Sequence, residues 1–323
     1  MSEAIDIGVI GLGVMGQRML ARLAEHPQLR PAAAWDPNEA ALAQVSAQHP
    51  QLSIASSAEA LIATGGLRCV YIASPPASHL EHANRGLDAG LAVFCEKPLT
   101  VDFSAARTTI ARIESEKRLA AVNFSLASSP GLAAMATALK DRSLGRLERL
   151  EIEVAFERWP RAWQSAAGRW LAERVAGGFT REVISHFVFV MQRALGPAKI
   201  LGSKPDYPAD GRSAERALEA RLEAGGVPVT VVGRVGGNVV DFNRMTLLGA
   251  EGAIELHEWF GLRHRKGRGE WRPVRTPQEN RQIGQRSQLE QLVALIEGRP
   301  HKLPGFAEAL AVQETIEALL QGR

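Results

Sequence analysis

Short apolar runs separated by stretches of helical periodicity dominate the first 124 residues. Ile5-Asp6-Ile7-Gly8-Val9-Ile10, Pro31-Ala32-Ala33-Ala34-Trp35, Arg68-Cys69-Val70-Tyr71-Ile72-Ala73, Leu91-Ala92-Val93-Phe94 and Ala120-Ala121-Val122-Asn123-Phe124 read as buried strands. Between them, Met19, Leu20 and Leu23 recur at helical spacing. Ser56-Ser57-Ala58-Glu59 and Ser78-His79-Leu80-Glu81 have capping-box spacing, with helices that close at Gly65-Gly66 and near Gly90. A further helix is expected over 103–117. Strands alternating with helices imply an α/β domain with a doubly wound parallel sheet and right-handed crossovers.

The pattern changes after Ser129-Pro130, a helix start with Ser as cap and Pro at the first position. Strands expected at 147–156, 227–235, 244–248, 253–259 and 271–275 are joined by turns, without crossover helices, which describes an open, mainly antiparallel sheet in an α+β second domain. Two amphipathic helices, about 286–297 and 306–321, flank Gly298-Arg299-Pro300. We place a first domain at 1–122 and a second at 123–323, with the C-terminal helix a candidate to pack back on the first.

A chain of 323 residues is long for one core, and 46% hydrophobic with 23% charged residues describes an ordinary globular protein. No apolar run reaches the length of a membrane span, and no signal-like segment opens the chain, so a cytoplasmic location is expected. Both cysteines, Cys69 and Cys95, lie in apolar strand-like runs, which argues against a disulfide scaffold. The net charge of +3 makes no case for a polyanion. A basic stretch, Arg263-His264-Arg265-Lys266-Gly267-Arg268 with Arg272 to Arg275, reads better as an exposed hairpin turning at Lys266-Gly267-Arg268-Gly269 than as a nucleic-acid surface. No metal site is expected.

Candidate chemistry gathers at the strand ends. Gly11-Leu12-Gly13-Val14-Met15-Gly16 follows the first strand and opens a helix. Gly11 suits a tight turn, Gly13 lets a pyrophosphate approach the backbone, and Gly16 permits close packing of helix on strand. Asp36 ends the second strand twenty residues after Gly16, where a carboxylate accepts from an adenosine ribose and repels a 2'-phosphate. NAD is therefore expected as cofactor, with NADP the alternative. Ser74-Pro75, Glu96-Lys97-Pro98 and Asn123 fall at further strand ends, where ligands of such sheets sit. The chain has seven lysines against thirty-one arginines, so a lysine after a buried strand suggests a need for its amine. His79, on the first turn of a helix, is either a cofactor contact or a solvated polar residue. Further on, Gly177-Gly178 precede a helix carrying Glu182 and His186, four residues apart and so on one face. That spacing suits a carboxylate that orients an imidazole for proton transfer, or an ordinary ion pair.

These residues, together with Ala77-Ser78-His79, Ala89-Gly90 and Gly249-Ala250-Glu251-Gly252, make the chain resemble the glucose-fructose oxidoreductase, inositol dehydrogenase and rhizopine-catabolism (Gfo/Idh/MocA) family. The resemblance implies a Rossmann domain and NAD(P)-dependent oxidation or reduction of sugars, polyols or related carbonyls. By it, Lys97 and His186 contact the reacting oxygen; from the glycine motif and the strand ends, Gly11, Gly13, Val14, Met15, Gly16, Asp36, Ser74, Pro75, His79, Glu96, Lys97 and Asn123 are expected to form the cofactor side. Many relatives have aspartate where this chain has Glu182, and a second aspartate where it has Phe189. The neighbouring Arg158, Arg161, Arg169 and Arg181 suit a carboxylate or phosphate as well as solvent. A catalytically silent dinucleotide-binding sensor is the competing reading, and a homodimer or homotetramer through the open sheet is expected.

Overall fold

The computed structural model describes residues 4–167 and 169–322. It contains two compact units, one of residues up to Phe124 with Gln288–Leu310, the other of Ser125–Ser287 with the C-terminal residues from Ala311. The sequence places the division at 122/123; the first unit runs to Phe124 and also takes in Gln288–Leu310.

The first unit runs β1 (Ile5–Ile10), α1 (Val14–Glu25), β2 (Leu29–Trp35), α2 (Glu39–Gln48), β3 (Ser53–Ile54), α3 (Ala58–Ile62), β4 (Leu67–Ile72), α4 (His79–Asp88), β5 (Ala92–Glu96), α5 (Phe103–Ser115) and β6 (Ala120–Asn123). Its six strands are parallel in the order β3-β2-β1-β4-β5-β6. The strands are apolar on both faces because helices cover both, as the near-continuous burial of β1, β4 and β5 shows. Strand order reverses between β1 and β4, and the crevice beyond their carboxyl ends is the natural ligand position in such a sheet. Leu289, Leu292, Val293, Leu295, Ile296 and Leu303 from the returning segment join Ile7, Val9, Leu20 and Phe94 in its core. Pro304 O accepts from Val122 N at 2.8 Å, which gives part of the outer edge of β6 a partner.

Ser57, one residue after the Ser56 that the capping-box spacing points to, caps α3 through its hydroxyl, accepting from Ala60 N at 3.0 Å. Ser78 does not cap α4. A short 3₁₀ turn, Pro76–Ser78, precedes that helix, and the Ser78 hydroxyl lies 3.0 Å from Pro75 O, which accepts from it, and 2.8 Å from the Ser74 hydroxyl.

The second unit begins with α6 (Pro130–Lys140), capped by Ser129 Oγ, which accepts from Leu132 N at 3.2 Å. It continues with β7 (Leu147–Phe156), α7 (Ser185–Leu195), β8 (Ala198–Asp206), β9 (Ala217–Ala224), β10 (Val227–Val235), β11 (Phe242–Gly249), β12 (Gly252–His257), β13 (Gly261–Lys266) and β14 (Arg272–Arg275). The helix α8 (Pro277–Ile296) begins here, and α9 (Phe306–Gln321) ends here. Eight strands lie in the order β14-β13-β12-β11-β7-β10-β9-β8, antiparallel at every neighbour except the parallel pair β7 and β10. The β13–β14 hairpin turns through Gly267, at φ +54°, where the basic stretch predicts it. No described helix is long and apolar enough to cross a membrane.

Candidate functional site

In the first unit the predicted residues gather where β1, β2, β4 and β5 end. Gly11 adopts φ +92°, and a Cβ there would strike the backbone of Ala73 and Ser74, so the loops after β1 and β4 touch at this glycine. At Gly16 a Cβ would run into the carbonyl oxygen of Gly11, which holds α1 close to the turn. A Cβ on Gly13, by contrast, meets nothing within 4 Å. That open space at the start of α1, with Val14 and Met15 in its first turn, suits a pyrophosphate accepting from helix N-terminal amides. Asp36 Oδ2 accepts from Leu12 N at 2.6 Å and its Oδ1 from Asn38 N at 2.8 Å. The carboxylate that ends β2 is thereby pinned beside the glycine loop, and its oxygens retain capacity for a ribose hydroxyl.

His79 is not the solvated residue that one reading of its place in the sequence suggests. It is 1% exposed, with Nδ1 2.9 Å from Pro98 O and Nε2 2.7 Å from Ser74 O, so it ties the loop after β4 to the one after β5. Burial lowers its pKa, against those carbonyls, which favour the charged ring. Ser74 is half-buried and Pro75 exposed, at the rim of that loop. Lys97 is half-buried one residue beyond β5.

Glu96 and Asn123, expected among the cofactor residues, are both buried, and their polar atoms are engaged inside the protein. The Tyr71 hydroxyl donates to Glu96 Oε1, Asn123 Nδ2 donates to the same oxygen at 2.7 Å, and Asn123 Oδ1 accepts from Gln288 Nε2 at 2.7 Å. Burial pushes the Glu96 carboxyl above its ordinary pKa, opposed by Tyr71, Lys97 and Asn123. Nothing in the sequence marks Tyr71 or Gln288; an isolated tyrosine hydroxyl in an apolar strand is the one available signal.

In the second unit the helix predicted to carry Glu182 and His186 is in two parts. Thr180–Ile184 forms a π turn and α7 begins at Ser185, so the side-by-side relation drawn from regular α-helical spacing does not carry over unchanged. The Gly177-Gly178 pair has a steric cause: a Cβ on Gly177 would strike the carbonyls of Trp170 and Leu171, and one on Gly178, at φ +104°, would strike the Glu215 carboxylate. Glu215 Oε1 accepts from Thr180 N at 2.8 Å, bracing the turn, and burial raises the Glu215 pKa.

His186 is 7% exposed, with the Trp259 ring edge-on at 5.6 Å between centroids, and Phe187 stacks on the same tryptophan at 6.0 Å. Trp259 stands at φ +69°, unusual for a bulky residue, with its N–H donating to Asn243 Oδ1 at 2.8 Å. The Arg161 guanidinium lies over Trp163, Phe156, Trp159 and Trp259 at 4.8–5.6 Å. Arg181 is committed elsewhere, bidentate to Glu317 at 2.5 and 2.7 Å and donating to the carbonyls of Arg174 and Gly177. Arg158 is exposed, and the side chain of Arg169 lies outside the described ones. Phe189, where many relatives carry aspartate, is fully buried on α7. In the basic hairpin, Arg263 pairs with buried Glu255 at 2.6 Å and, with Arg265, flanks the Trp271 ring. Among the described residues no cluster of His, Cys, Asp or Glu has the arrangement of a metal site.

Comparison with known proteins bears on these arrangements. Residues 5–124 match the GFO_IDH_MocA family model, described as an oxidoreductase family with an NAD-binding Rossmann fold. An inositol 2-dehydrogenase of Paracoccus denitrificans (strain Pd 1222) is 31% identical over 140 residues, covering 42% of this chain and 42% of that one. The chain spans about half the length of the curated relatives it matches. Among solved structures, GenD2 from gentamicin A biosynthesis, in complex with NAD, is similar with a TM-score of 0.82 at 20% identity, covering 99% of this chain and 94% of that one. A levoglucosan dehydrogenase in complex with NADH and L-sorbose has a TM-score of 0.82 at 16% identity, with 99% and 96% covered. At these identities the structural likeness speaks to the fold.

Proposed function

We propose that this chain, whose residues 5–124 match the model of an oxidoreductase family with an NAD-binding Rossmann fold, is a dehydrogenase or reductase acting on a small hydroxyl- or carbonyl-bearing substrate of the sugar, polyol or sugar-acid kind. The observation that carries this reading is the glycine loop with pinned Asp36, on the same sheet edge as Lys97. The substrate class is suggested by the curated relatives, an inositol 2-dehydrogenase among them.

Bound NAD supplies the hydride acceptor or donor. The backbone around Gly13 holds its pyrophosphate, and Asp36 accepts from the adenosine ribose and disfavours a 2'-phosphate. Lys97 donates a hydrogen bond to the reacting oxygen and His186 takes or returns that oxygen's proton, the two roles the family resemblance implies, and Glu182, four residues before the histidine, orients the imidazole. The Arg161 cluster gives the second unit a cationic, aromatic surface that suits a sugar acid.

The test is reduced-cofactor absorbance, with NAD and NADP in parallel, across polyols, sugars, sugar acids and hydroxy acids, and in the reverse direction with the matching carbonyls. Turnover with NAD preferred is expected. Tight NADH binding without turnover on the whole panel overturns the dehydrogenase reading in favour of a dinucleotide sensor.

A further inference from the structure

The roles proposed so far leave unused a polar column in the first unit, next to Lys97 in the chain. Tyr71, Glu96, Asn123 and Gln288 are each at most 6% exposed, yet each carries a polar group that needs a partner. Their bonds form a single chain. Gln288 Nε2 donates to Asn123 Oδ1 at 2.7 Å, Asn123 Nδ2 donates to Glu96 Oε1 at 2.7 Å and approaches the Tyr71 hydroxyl at 3.3 Å, and that hydroxyl donates to Glu96 Oε1. The other carboxylate oxygen, Oε2, accepts from the Lys97 backbone N–H at 3.3 Å.

We propose that Tyr71 and Gln288 are positioning residues for Lys97, fixing, the one directly and the other through Asn123, the Glu96 carboxylate that accepts from the Lys97 backbone N–H, and that the column acts through that lysine instead of on the dinucleotide. The inference rests on the assignment of Lys97 to the reacting oxygen.

The bonding allows one orientation. An amide can turn over, but a donor from Gln288 keeps Asn123 Oδ1 facing it and so directs the Asn123 NH₂ at Glu96. Tyr71 has a single proton, and it is spent on the same carboxylate oxygen. Two donors on one oxygen favour the ionised form in a place where burial opposes it. The titratable and charged groups that bear on the column are Lys97, Tyr71 and the thiol of Cys95, with Arg22 acting on Tyr71. An ionised carboxylate at a fixed place gives a neighbouring ammonium a preferred position, and losing either outer member frees that carboxylate to turn or to take a proton.

Tyr71→Phe and Gln288→Met test this, alone and combined with Lys97→Met. Expected is a loss in kcat of about tenfold for each single variant, the size of coupling within one hydrogen-bonded network. NADH affinity by tryptophan fluorescence stays within about twofold, and the loss disappears when Lys97 is already Met. Weakened NADH binding with kcat retained overturns the proposal in favour of a cofactor contact. Losses that persist in full beside Lys97→Met overturn it in favour of independent action. Should Tyr71→Phe fail to fold, Gln288→Met, which does not touch the carboxylate, carries the same test. If the wild-type chain turns over no substrate, the dehydrogenase reading fails and the column is read separately. The rate at which trinitrobenzenesulfonate labels Lys97 relative to exposed Lys117, followed by mass spectrometry, is then expected to change on the order of threefold in Tyr71→Phe. An unchanged ratio overturns the positioning role.

Discussion

At Gly13 an added methyl group meets nothing within 4 Å, whereas at Gly16 it runs into the carbonyl oxygen of Gly11, so two alanine substitutions three residues apart have different consequences. Gly13→Ala is expected to keep the urea midpoint of unfolding, within about 1 kcal/mol of stability, because the position only caps a helix. It is expected to weaken NADH binding about tenfold or more, because the methyl occupies the approach to the backbone. Gly16→Ala is expected to cost at least 1–3 kcal/mol by urea titration, since backbone cannot give way as a flexible side chain does. Lys97→Met is expected to lower kcat about 100-fold or more with NADH affinity little changed; near-normal turnover would remove the lysine from the mechanism. Glu96 makes a pH prediction. Its folded-state pKa lies above the ordinary 4.5, so the native state retains a proton that the unfolded chain has released, and stability falls as pH rises through that interval. Urea midpoints compared from about pH 5 to about pH 8 are expected to fall less in Glu96→Gln than in the wild type.

Among the elements, α-helical spacing is a safe guide only where the helix is regular. The glycine pair, Thr180 and the His186 helix are all visible in the sequence, but the π turn between them is set by Glu215, which holds Thr180 N from a distant segment. The turn is also tied to α9: Arg181, with a side chain 11% exposed, makes its bidentate pair with Glu317. Glu317→Ala leaves a largely buried guanidinium without its carboxylate, and a loss of about 2–3 kcal/mol is expected from thermal or urea unfolding. A change below about 0.5 kcal/mol would show the pair to be no stronger than an exposed one. The strands β8 and β9 escape a sequence reading for local reasons. β9, Ala217–Ala224, is composed of Ala, Leu, Glu and Arg, all good helix formers, and only its alternating burial declares it a strand. β8 lies at the sheet edge with no residue fully buried and carries Gly and Pro, so it lacks the apolar alternation of a half-buried strand.

For the whole molecule, the outward face of the second sheet carries charged side chains of both signs, so a contact made through it is electrostatic in character. Glu219, Arg221, Glu223, Thr230 and Arg234 are exposed between buried neighbours, and Arg149–Glu151 and Arg244–Glu153 pair across it at 2.7 and 2.5 Å. We propose that this face joins two copies. Light scattering is expected to give at least twice the 34.9 kDa chain mass, and the assembly is expected to loosen near 1 M salt, where the screening length falls to about 3 Å. A mass of one chain at low salt would overturn it. Periodicity and spacing by themselves determined the parallel sheet of the first domain, its glycine loop with Asp36, the strand end that carries Lys97, and the antiparallel character of the second sheet. These rest on neighbours within a few residues, where backbone geometry and the alternation of buried and exposed positions leave few choices. Only the tertiary structure decided that Gln288–Leu310 belongs to the first unit, that β7 and β10 run parallel, that Asn123 turns inward to Glu96, and that His79 ties two loops together. Each of those depends on a partner far along the chain, 165 residues away for Asn123 and Gln288, and the choice among distant partners is made by packing, which no local pattern records.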